Sequence, residues 1–197
     1  VYMSGVLNKE YGLRTGNLLS LLAVYELPQY HKLIYCSDSG INVAPDLEQK
    51  KVIVRSALNA MKNLGFENPN VAILTANEMV DPKVISTVDA AALVEMVKNG
   101  ELPACTAEGP IAFDVAFDKH AAEHKGIDSK IAGEVDLLIF PNIEAGNIVG
   151  KSWLQFNGAK WAGIVLGAAA PVILGSRSDT PEMKINSIAL ACLAATK

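Results

Sequence analysis

The stretch PNIEAGNIVGKSW (residues 141–153), followed by VILGSRSDTPE (residues 172–182), decides the fold of this chain. In both, an apolar run leads into a polar segment that contains glycine, and a predicted helix follows. This order is typical of a strand that ends beside a helix, and it places small residues, a hydroxyl and an arginine at the end of the strand. Such an end suits a pocket for an anionic substrate.

Strands and helices alternate along the rest of the chain. Predicted strands, which are apolar runs bounded by turn residues, cover residues 18–27, 32–36, 71–75, 136–140, 164–166 and 172–174. Predicted helices cover residues 45–64, with Pro45 in the first turn, and residues 88–98, 111–125 and 181–195. The first two strands form a predicted hairpin, and the later ones are apolar throughout. The sequence therefore predicts an α/β fold, with mainly parallel sheets that carry helices on both faces.

The composition narrows the classes of function. Half of the 197 residues are hydrophobic and 19% are charged, which is enough for a substantial core. A net charge of −4 argues against broad nucleic-acid binding, which needs a basic face, but not against one small anionic ligand. The sequence predicts no membrane span, because no apolar run reaches roughly 18 residues. Cys36, Cys105 and Cys192 are scattered, so we expect reduced, buried thiols in a cytoplasmic protein.

The segment GSRSDTPE (residues 175–182) carries the chemistry expected of an anion site. Asp179 or the next residue is positioned to cap the following helix, and with Asp179 as the cap Glu182 completes a capping box. The helix start then presents free N–H groups beside Ser176 and Arg177, and an arginine next to such donors suits a phosphate or a carboxylate. A surface loop before a well-capped helix explains the same residues, so both interpretations stay open.

The segment PNIEAGNIVGKSW offers a second group of polar side chains. Gly146 allows another backbone or a ligand to come close, and Asn142 and Asn147 provide both donors and acceptors. Glu144 is either an acid or base, or a solvated loop carboxylate. Lys151 either meets an anion or is a solvated residue of a helix.

Metal and dinucleotide motifs are weak. His120 and His124 are spaced to share a helix face, but no glutamate directly follows the first histidine as in the metalloprotease pattern. We therefore predict a surface helix there and no metal site. No Walker A motif occurs, and GAAAP (residues 167–171) is too poor in glycine for a dinucleotide fingerprint.

Five segments, in this order, resemble the phosphate acetyl/butyryltransferase family, closest to its butyryltransferase branch. They are GLRTG (12–16), DSGINVAPDLEQK (38–50), EGPIAFDVAF (108–117), LLIFPNIEAGNIVGK (137–151) and GSRSDTPEMKINSIALA (175–191). Together they are distributed over most of the chain, from residue 12 to residue 191. Family members carry a further N-terminal region, in agreement with a chain that opens with VYMSG and no initiating methionine. We therefore expect an N-terminal part to be missing.

The resemblance implies a two-domain fold like that of the isocitrate and isopropylmalate dehydrogenases, with the active site in the cleft between the domains. Residues 1–38 and 171–197 would be the remnants of a discontinuous first domain, and residues 39–170 the second α/β domain. The implied reaction moves a short acyl group, butyryl or similar, between coenzyme A and inorganic phosphate to give acyl phosphate and free coenzyme A. It needs no metal or redox cofactor, and the enzyme is expected to be a homo-oligomer.

The resemblance also implies roles for the candidate residues. Arg177 holds phosphate or a coenzyme A phosphate, and Ser176 donates to the developing oxyanion. The acetyltransferase branch carries an aspartate, its presumed base, seven residues after the serine, where this chain has Met183. Glu182 is therefore the candidate base, with Asp179 and Glu144 as alternatives. The predicted substrate-binding residues are Asn142, Glu144, Gly146, Asn147, Ser178 and Asp179.

Three alternative functions stay open. The chain is an inactive member of the same fold that binds coenzyme A or another anionic nucleotide, or it is a phosphate acetyltransferase. A decarboxylating dehydrogenase of the same fold is the third, and it requires a nicotinamide site and a set of metal-binding carboxylates that the sequence does not display.

Overall fold

Residues 5, 6 and 8–195 are described by the computed structural model of this chain. Residues 1–4, 7, 196 and 197 belong to the predicted remnants of a first domain and lie outside the described residues. The strands are β1 (Ser20–Glu26), β2 (Ile34–Ser37), β3 (Asn70–Leu74), β4 (Thr106–Ile111), β5 (Leu137–Ile139) and β6 (Lys160–Leu166). The helices are α1 (Leu47–Asn63), α2 (Ile85–Lys98), α3 (Phe113–Phe117), α4 (Lys119–His124), α5 (Ile143–Phe156) and α6 (Pro181–Ala195).

The six strands form one mostly parallel sheet in the order β4-β3-β5-β2-β1-β6. β1 is antiparallel to both of its neighbours, and the other pairings are parallel, so five strands run one way and β1 the other. The predicted hairpin is confirmed as β1 and β2, with Val24 opposite Tyr35. The predicted α/β class with a mainly parallel sheet is also confirmed.

Helices cover both faces of the sheet, as the apolar strands predict. On the first face, which we call the α1 face, a core cluster joins the sheet to α1, α2 and α6. On the second, the α5 face, a separate cluster joins the sheet to α3, α4 and α5. β1 contributes side chains to both clusters, because Leu22 and Val24 point to the α1 face while Ala23 and Tyr25 point to the α5 face. Burying a side chain the size of leucine stabilises the fold by about 1.5–3 kcal/mol.

The N-terminus of α1 corrects one expectation. Asp46 is the N-cap, accepting a hydrogen bond from the backbone N–H of Gln49, and the Gln49 side chain accepts one from the Asp46 N–H. This capping box satisfies two of the N–H groups at the helix start. Pro45 therefore precedes the cap rather than lying in the first turn. Val54, Leu58 and Met61, which share one face of α1, are buried.

The predicted helix over 111–125 is wrong. Ile111 ends β4, and the helical part is divided into α3 and α4 at Asp118, whose carboxylate accepts a hydrogen bond from the His120 N–H and starts a new helix. β4 escaped prediction because its sequence, TAEGPI, contains glycine and proline. Pro110 is tolerated because β4 is an edge strand, where a missing N–H breaks no second ladder.

The end of the sheet differs in extent from the prediction. β6 begins at Lys160, four residues before the predicted start, and pairs with β1 along its whole length. Residues 172–174 form no strand, and only Val172 makes a bridge, to Val165. The sheet also crosses the predicted domain boundary near residue 38, since β1 and β2 pair with β6 and β5. The predicted division into domains stays a prediction.

The cysteines differ in their surroundings. Cys36 is buried and Cys105 is partly buried, but Cys192 is exposed, against the expectation of three buried thiols. Burial raises the pKa of the Cys105 thiol to about 11 and that of Cys36 well above its usual value, so neither is ionised near neutral pH. In the described part of the chain, no helix is long and apolar enough to cross a bilayer.

Candidate active site

The carboxyl ends of β2 and β5 meet at one edge of the sheet, and the segments that follow them pack closely. Gly146 of α5 makes this possible, because a Cβ at that position would lie 2.8 Å from the Cβ of Ser39 and 2.8 Å from Cδ2 of Phe140. The Asn147 amide donates a hydrogen bond of 3.3 Å to the Ser39 carbonyl. The helix and the loop after β2 therefore form one wall. Gly146, a predicted substrate-binding residue, acts here as a packing residue.

The loop after β2 is held by the buried carboxylate of Asp38. This side chain, 4% exposed, accepts hydrogen bonds from the backbone N–H groups of Gly40, Ile41 and Asn42, at 2.9–3.1 Å. The Asn42 amide adds a fourth at 2.6 Å. A carboxylate with several N–H donors fixes its loop, so the Ser39–Gly40 backbone has a defined position.

The predicted polar loop over 141–147 is instead the start of α5. Asn142 is the N-cap, accepting a hydrogen bond of 2.9 Å from the Ala145 N–H, so its carbonyl oxygen is occupied. Glu144 lies in the first turn, where a carboxylate is favoured by the helix dipole. Its side chain is exposed and makes no hydrogen bond or ion pair with the described residues.

The segment over residues 174–179 is anchored by Asp179. One oxygen of its carboxylate accepts a 2.6 Å hydrogen bond from the Ser176 N–H, and the other accepts a 3.0 Å bond from Nε1 of Trp161. The Ser176 and Ser178 hydroxyls are 2.9 Å apart. Asp179 therefore ties the loop that carries Ser176 and Arg177 to the start of β6.

The start of α6 decides between the two predicted caps. Thr180, the second of the two candidates, accepts the hydrogen bond from the Met183 N–H, at 3.3 Å. Glu182 is then the second helical residue rather than the third, and its carboxylate pairs with Nζ of Lys160 at 2.8 Å. The expected capping box is absent because Asp179 is engaged in holding its own loop.

These segments enclose a concavity on the α5 face, which we call the Ser176 groove, with a volume of about 220 Å³. Its floor is Leu21 and Tyr25 of β1. One wall is α5, through Asn147, Lys151 and Leu154, and the other is the segment over 174–179. Ser39 and Gly40 close the end at the carboxyl edge of the sheet, and Trp161 closes the opposite end. The complete lining is Leu21, Tyr25, Ser39, Gly40, Asn147, Lys151, Leu154, Trp161, Leu174, Gly175, Ser176, Ser178 and Asp179.

Donors outnumber free acceptors in the Ser176 groove. Lys151 belongs to its lining, whereas Arg177, which follows Ser176 in the chain, is exposed and does not line it; neither cation has an ion pair among the described residues. Asp179 is the one carboxylate in the lining, and both of its oxygens already accept hydrogen bonds. Burial, with Cys36 and Asp179 nearby, raises the pKa of Tyr25 well above its usual value, so the phenol stays protonated and acts as a donor. This surface suits an anion.

Sequence reasoning found part of this site. The structure brings Asn147, Ser176, Ser178 and Asp179 together in the groove. The other predicted site residues, Asn142, Glu144, Gly146, Arg177 and Glu182, do not line it. The roles assigned to all of these residues stay predictions. Several lining residues were missed, among them Ser39, although its segment (38–50) carries the family resemblance, and Tyr25, whose run in β1 is typical of ordinary core. The alternation of Leu21 and Tyr25 on one face of a strand is the signal that was available.

Comparison with known proteins identifies the family. A family model described as Phosphate acetyl/butaryl transferase matches residues 2–192. The chain belongs to this family. Over 194 residues it is 42% identical to the phosphate butyryltransferase of Clostridium acetobutylicum, covering 98% of this chain and 64% of that protein. It is also 40% identical to the phosphate acetyltransferase of Thermotoga maritima, over 95% of this chain and 64% of that protein. The chain thus spans slightly under two thirds of the length of these relatives.

A solved structure supports the same relationship. The crystal structure of a branched-chain phosphotransacylase from Enterococcus faecalis V583 superposes with a TM-score of 0.86 at 33% identity, covering 96% of this chain and 68% of that one. Membership of the phosphate acetyl/butyryl transferase family therefore rests on both sequence and fold. It agrees with the five segments from which the family was first inferred.

Proposed function

We propose that this family member transfers a short acyl group between coenzyme A and inorganic phosphate, giving acyl phosphate and free coenzyme A. The observation that carries the proposal is the groove lined by Ser176 and Lys151, with Arg177 next to Ser176 in sequence, in a chain whose residues 2–192 match the family. The chain is 42% identical to a relative named for butyryl transfer and 40% identical to one named for acetyl transfer. Sequence identity alone therefore does not indicate which acyl group is preferred.

The proposed chemistry relies on donors rather than on a metal. Arg177, with Lys151 of the groove lining, holds the phosphate oxygens, because a guanidinium offers paired N–H groups to an oxyanion. Ser176 donates to the carbonyl oxygen as negative charge develops there. One such aimed donor is worth on the order of 3 kcal/mol in the transition state. In the direction from acyl-CoA, an ionised phosphate attacks the carbonyl carbon, the C–S bond breaks, and coenzyme A departs as the thiolate.

The reverse direction needs a base for the coenzyme A thiol, and the candidates differ in what surrounds them. Asp179 lines the groove, but its oxygens accept from Ser176 and Trp161. Glu182 pairs with Lys160 away from the groove lining. Glu144 is exposed and unpaired among the described residues. Glu182 thus stays the predicted base by position, and Asp179 is the candidate that lies in the groove.

The proposal extends to the whole enzyme. A two-domain architecture like that of the isocitrate and isopropylmalate dehydrogenases agrees with relatives that are about half as long again as this chain. In it, the Ser176 groove faces the cleft between the domains. Exposed Ile185 and Ile188 on α6 are compatible with a homo-oligomer, and the unpaired cysteines suit a cytoplasmic enzyme.

The test is a thiol-release assay. The protein, expressed over its complete open reading frame, is mixed with acetyl-CoA, butyryl-CoA or isobutyryl-CoA, and free thiol is followed with and without phosphate. We expect phosphate-dependent release with at least one substrate and formation of the matching acyl phosphate. Release that is absent with all three, or independent of phosphate, would refute the proposed reaction.

A second candidate is a non-catalytic member that binds coenzyme A. It is favoured by Met183, which packs against the core on the α5 face instead of presenting a carboxylate, and by the lack of a free carboxylate in the groove lining. Calorimetry with coenzyme A distinguishes the two, since a sensor binds without turnover.

A further inference from the structure

The Ser176 groove has two chemically different ends. At the carboxyl edge of the sheet lie Ser39, Gly40 and Asn147, which present a hydroxyl, a backbone and an amide. The opposite end is formed by Tyr25, Leu154 and Trp161. The register of the sheet separates them, because Trp161 pairs with Tyr25 near the end of β1, while Ser39 follows the carboxyl end of β2. Ser176 lies along the wall that joins the two ends.

The aromatic end is rigid. Tyr25 is 6% exposed, meets Trp153 edge-on with ring centroids 5.1 Å apart, and stacks on Trp161 at 6.4 Å. Its hydroxyl lies against the α5 backbone at Gly150, where any Cβ would collide with it. Trp161 is fixed in turn by its hydrogen bond to Asp179. An acyl chain that enters this end therefore contacts closely packed side chains that cannot move aside.

The size of the groove limits what enters. Its volume of about 220 Å³ is below the roughly 300–1,000 Å³ of sites that hold drug-sized ligands. Coenzyme A is far larger, so only the reacting end of an acyl-CoA and a phosphate can occupy it. A phosphate belongs at the end rich in donors, which leaves the aromatic end for a hydrocarbon chain.

We propose that the acyl chain lies in the aromatic end of the Ser176 groove, and that Leu154 with Tyr25 sets the chain length the enzyme accepts. This inference rests on the proposed acyl transfer and deepens it. Leu154 is the adjustable part of the wall, because it is partly exposed while Tyr25 and Trp161 are buried. The carbonyl then lies near Ser176, with the chain pointing toward the rings of Tyr25 and Trp161.

The experiment changes Leu154 and measures kcat/KM for acetyl-, butyryl- and hexanoyl-CoA. In a hydrophobic pocket one methylene is worth about 10–200-fold in kcat/KM. Leu154→Trp fills the aromatic end and is expected to lower the butyryl-to-acetyl ratio by about 10-fold or more. Leu154→Ala opens it and is expected to raise the hexanoyl-to-acetyl ratio by a similar factor. Neither change should move the KM for phosphate more than about twofold, since the donors are untouched.

The control is Ile148→Trp, which adds the same bulk to the same helix at a position 65% exposed and outside the groove. It should leave both ratios unchanged. An active wild-type enzyme whose ratios do not move in either Leu154 variant overturns this inference alone. A wild-type enzyme inactive with every acyl-CoA overturns the proposed reaction as well. If Leu154→Trp fails to fold, the ratio measured for Leu154→Ala decides.

Discussion

Asp179→Asn is the substitution that most sharply examines how the Ser176 loop is positioned. The native carboxylate accepts from the Ser176 N–H at 2.6 Å and from Trp161 Nε1 at 3.0 Å. Asparagine keeps one acceptor oxygen, and its NH₂ faces the other donor, so one hydrogen bond to a charged group is lost. Such a bond is worth about 1.5–3 kcal/mol. The closed loop should therefore become less populated by a factor of roughly 10 to 150.

The assay separates this anchoring role from a catalytic base. Phosphate-dependent thiol release from butyryl-CoA should fall in kcat/KM by the same factor of about 10 to 150, and by a similar amount at each pH tested. Loss of a base would instead remove one limb of the pH–rate profile. The free energy of unfolding should change less than catalysis does, because the loop opens locally.

Two further variants complete the test of Asp179. Asp128→Asn is the matched control, because Asp128 is an exposed carboxylate without a hydrogen-bond partner among the described residues. It should leave kcat/KM and the free energy of unfolding unchanged. Trp161→Phe removes the indole N–H that donates to Asp179. The loss of kcat/KM in the double variant with Asp179→Asn, expressed as a free energy, should be smaller than the sum of the losses in the two single variants. A value of kcat/KM for Asp179→Asn within twofold of wild type would contradict the reasoning.

Three other outcomes are expected. Arg177→Ala should raise the KM for phosphate by roughly 10-fold or more with little change in stability, because the exposed guanidinium has no other partner in the described chain; unchanged phosphate saturation would remove it from the site. Gly146→Ala should lower the free energy of unfolding by about 1–3 kcal/mol in urea titrations, since the new Cβ meets Ser39 and Phe140. Asp89→Ala should lower the free energy of unfolding by about 3–5 kcal/mol, because it leaves Lys50, its partner at 2.7 Å, buried and unpaired. The double variant Asp89→Leu with Lys50→Met should lose far less, because no unpaired charge stays buried.

The sequence predicted elements whose local signals agree with their packing. The β1–β2 hairpin and α1 were predicted from their apolar residues, which the structure buries, whereas the Asp46 capping box at the start of α1 was not predicted. β4 was missed because its glycine and proline are typical of a turn, while its place at the sheet edge permits them. Only pairing with β3, far away in sequence, makes it a strand.

The candidate site shows the same limit. Ser176 and Arg177 were found because their types and order are informative in one segment. Asp179 was predicted as one of two possible helix caps and as a substrate-binding residue, whereas its partner Trp161, 18 residues away on another element, was not predicted. Tyr25 was not predicted, because the local sequence of a strand looks the same whether a residue faces a groove or the core. Residues that act through distant contacts need coordinates to be recognised.

The most direct measurement of the central claim is the phosphate saturation curve of Ser176→Ala with butyryl-CoA as substrate. If this hydroxyl stabilises the oxyanion at the groove, kcat should fall by about 100-fold or more, while circular dichroism and the urea midpoint stay close to wild type. A Ser176→Ala enzyme that turns over at the wild-type rate would show that acyl transfer takes place elsewhere.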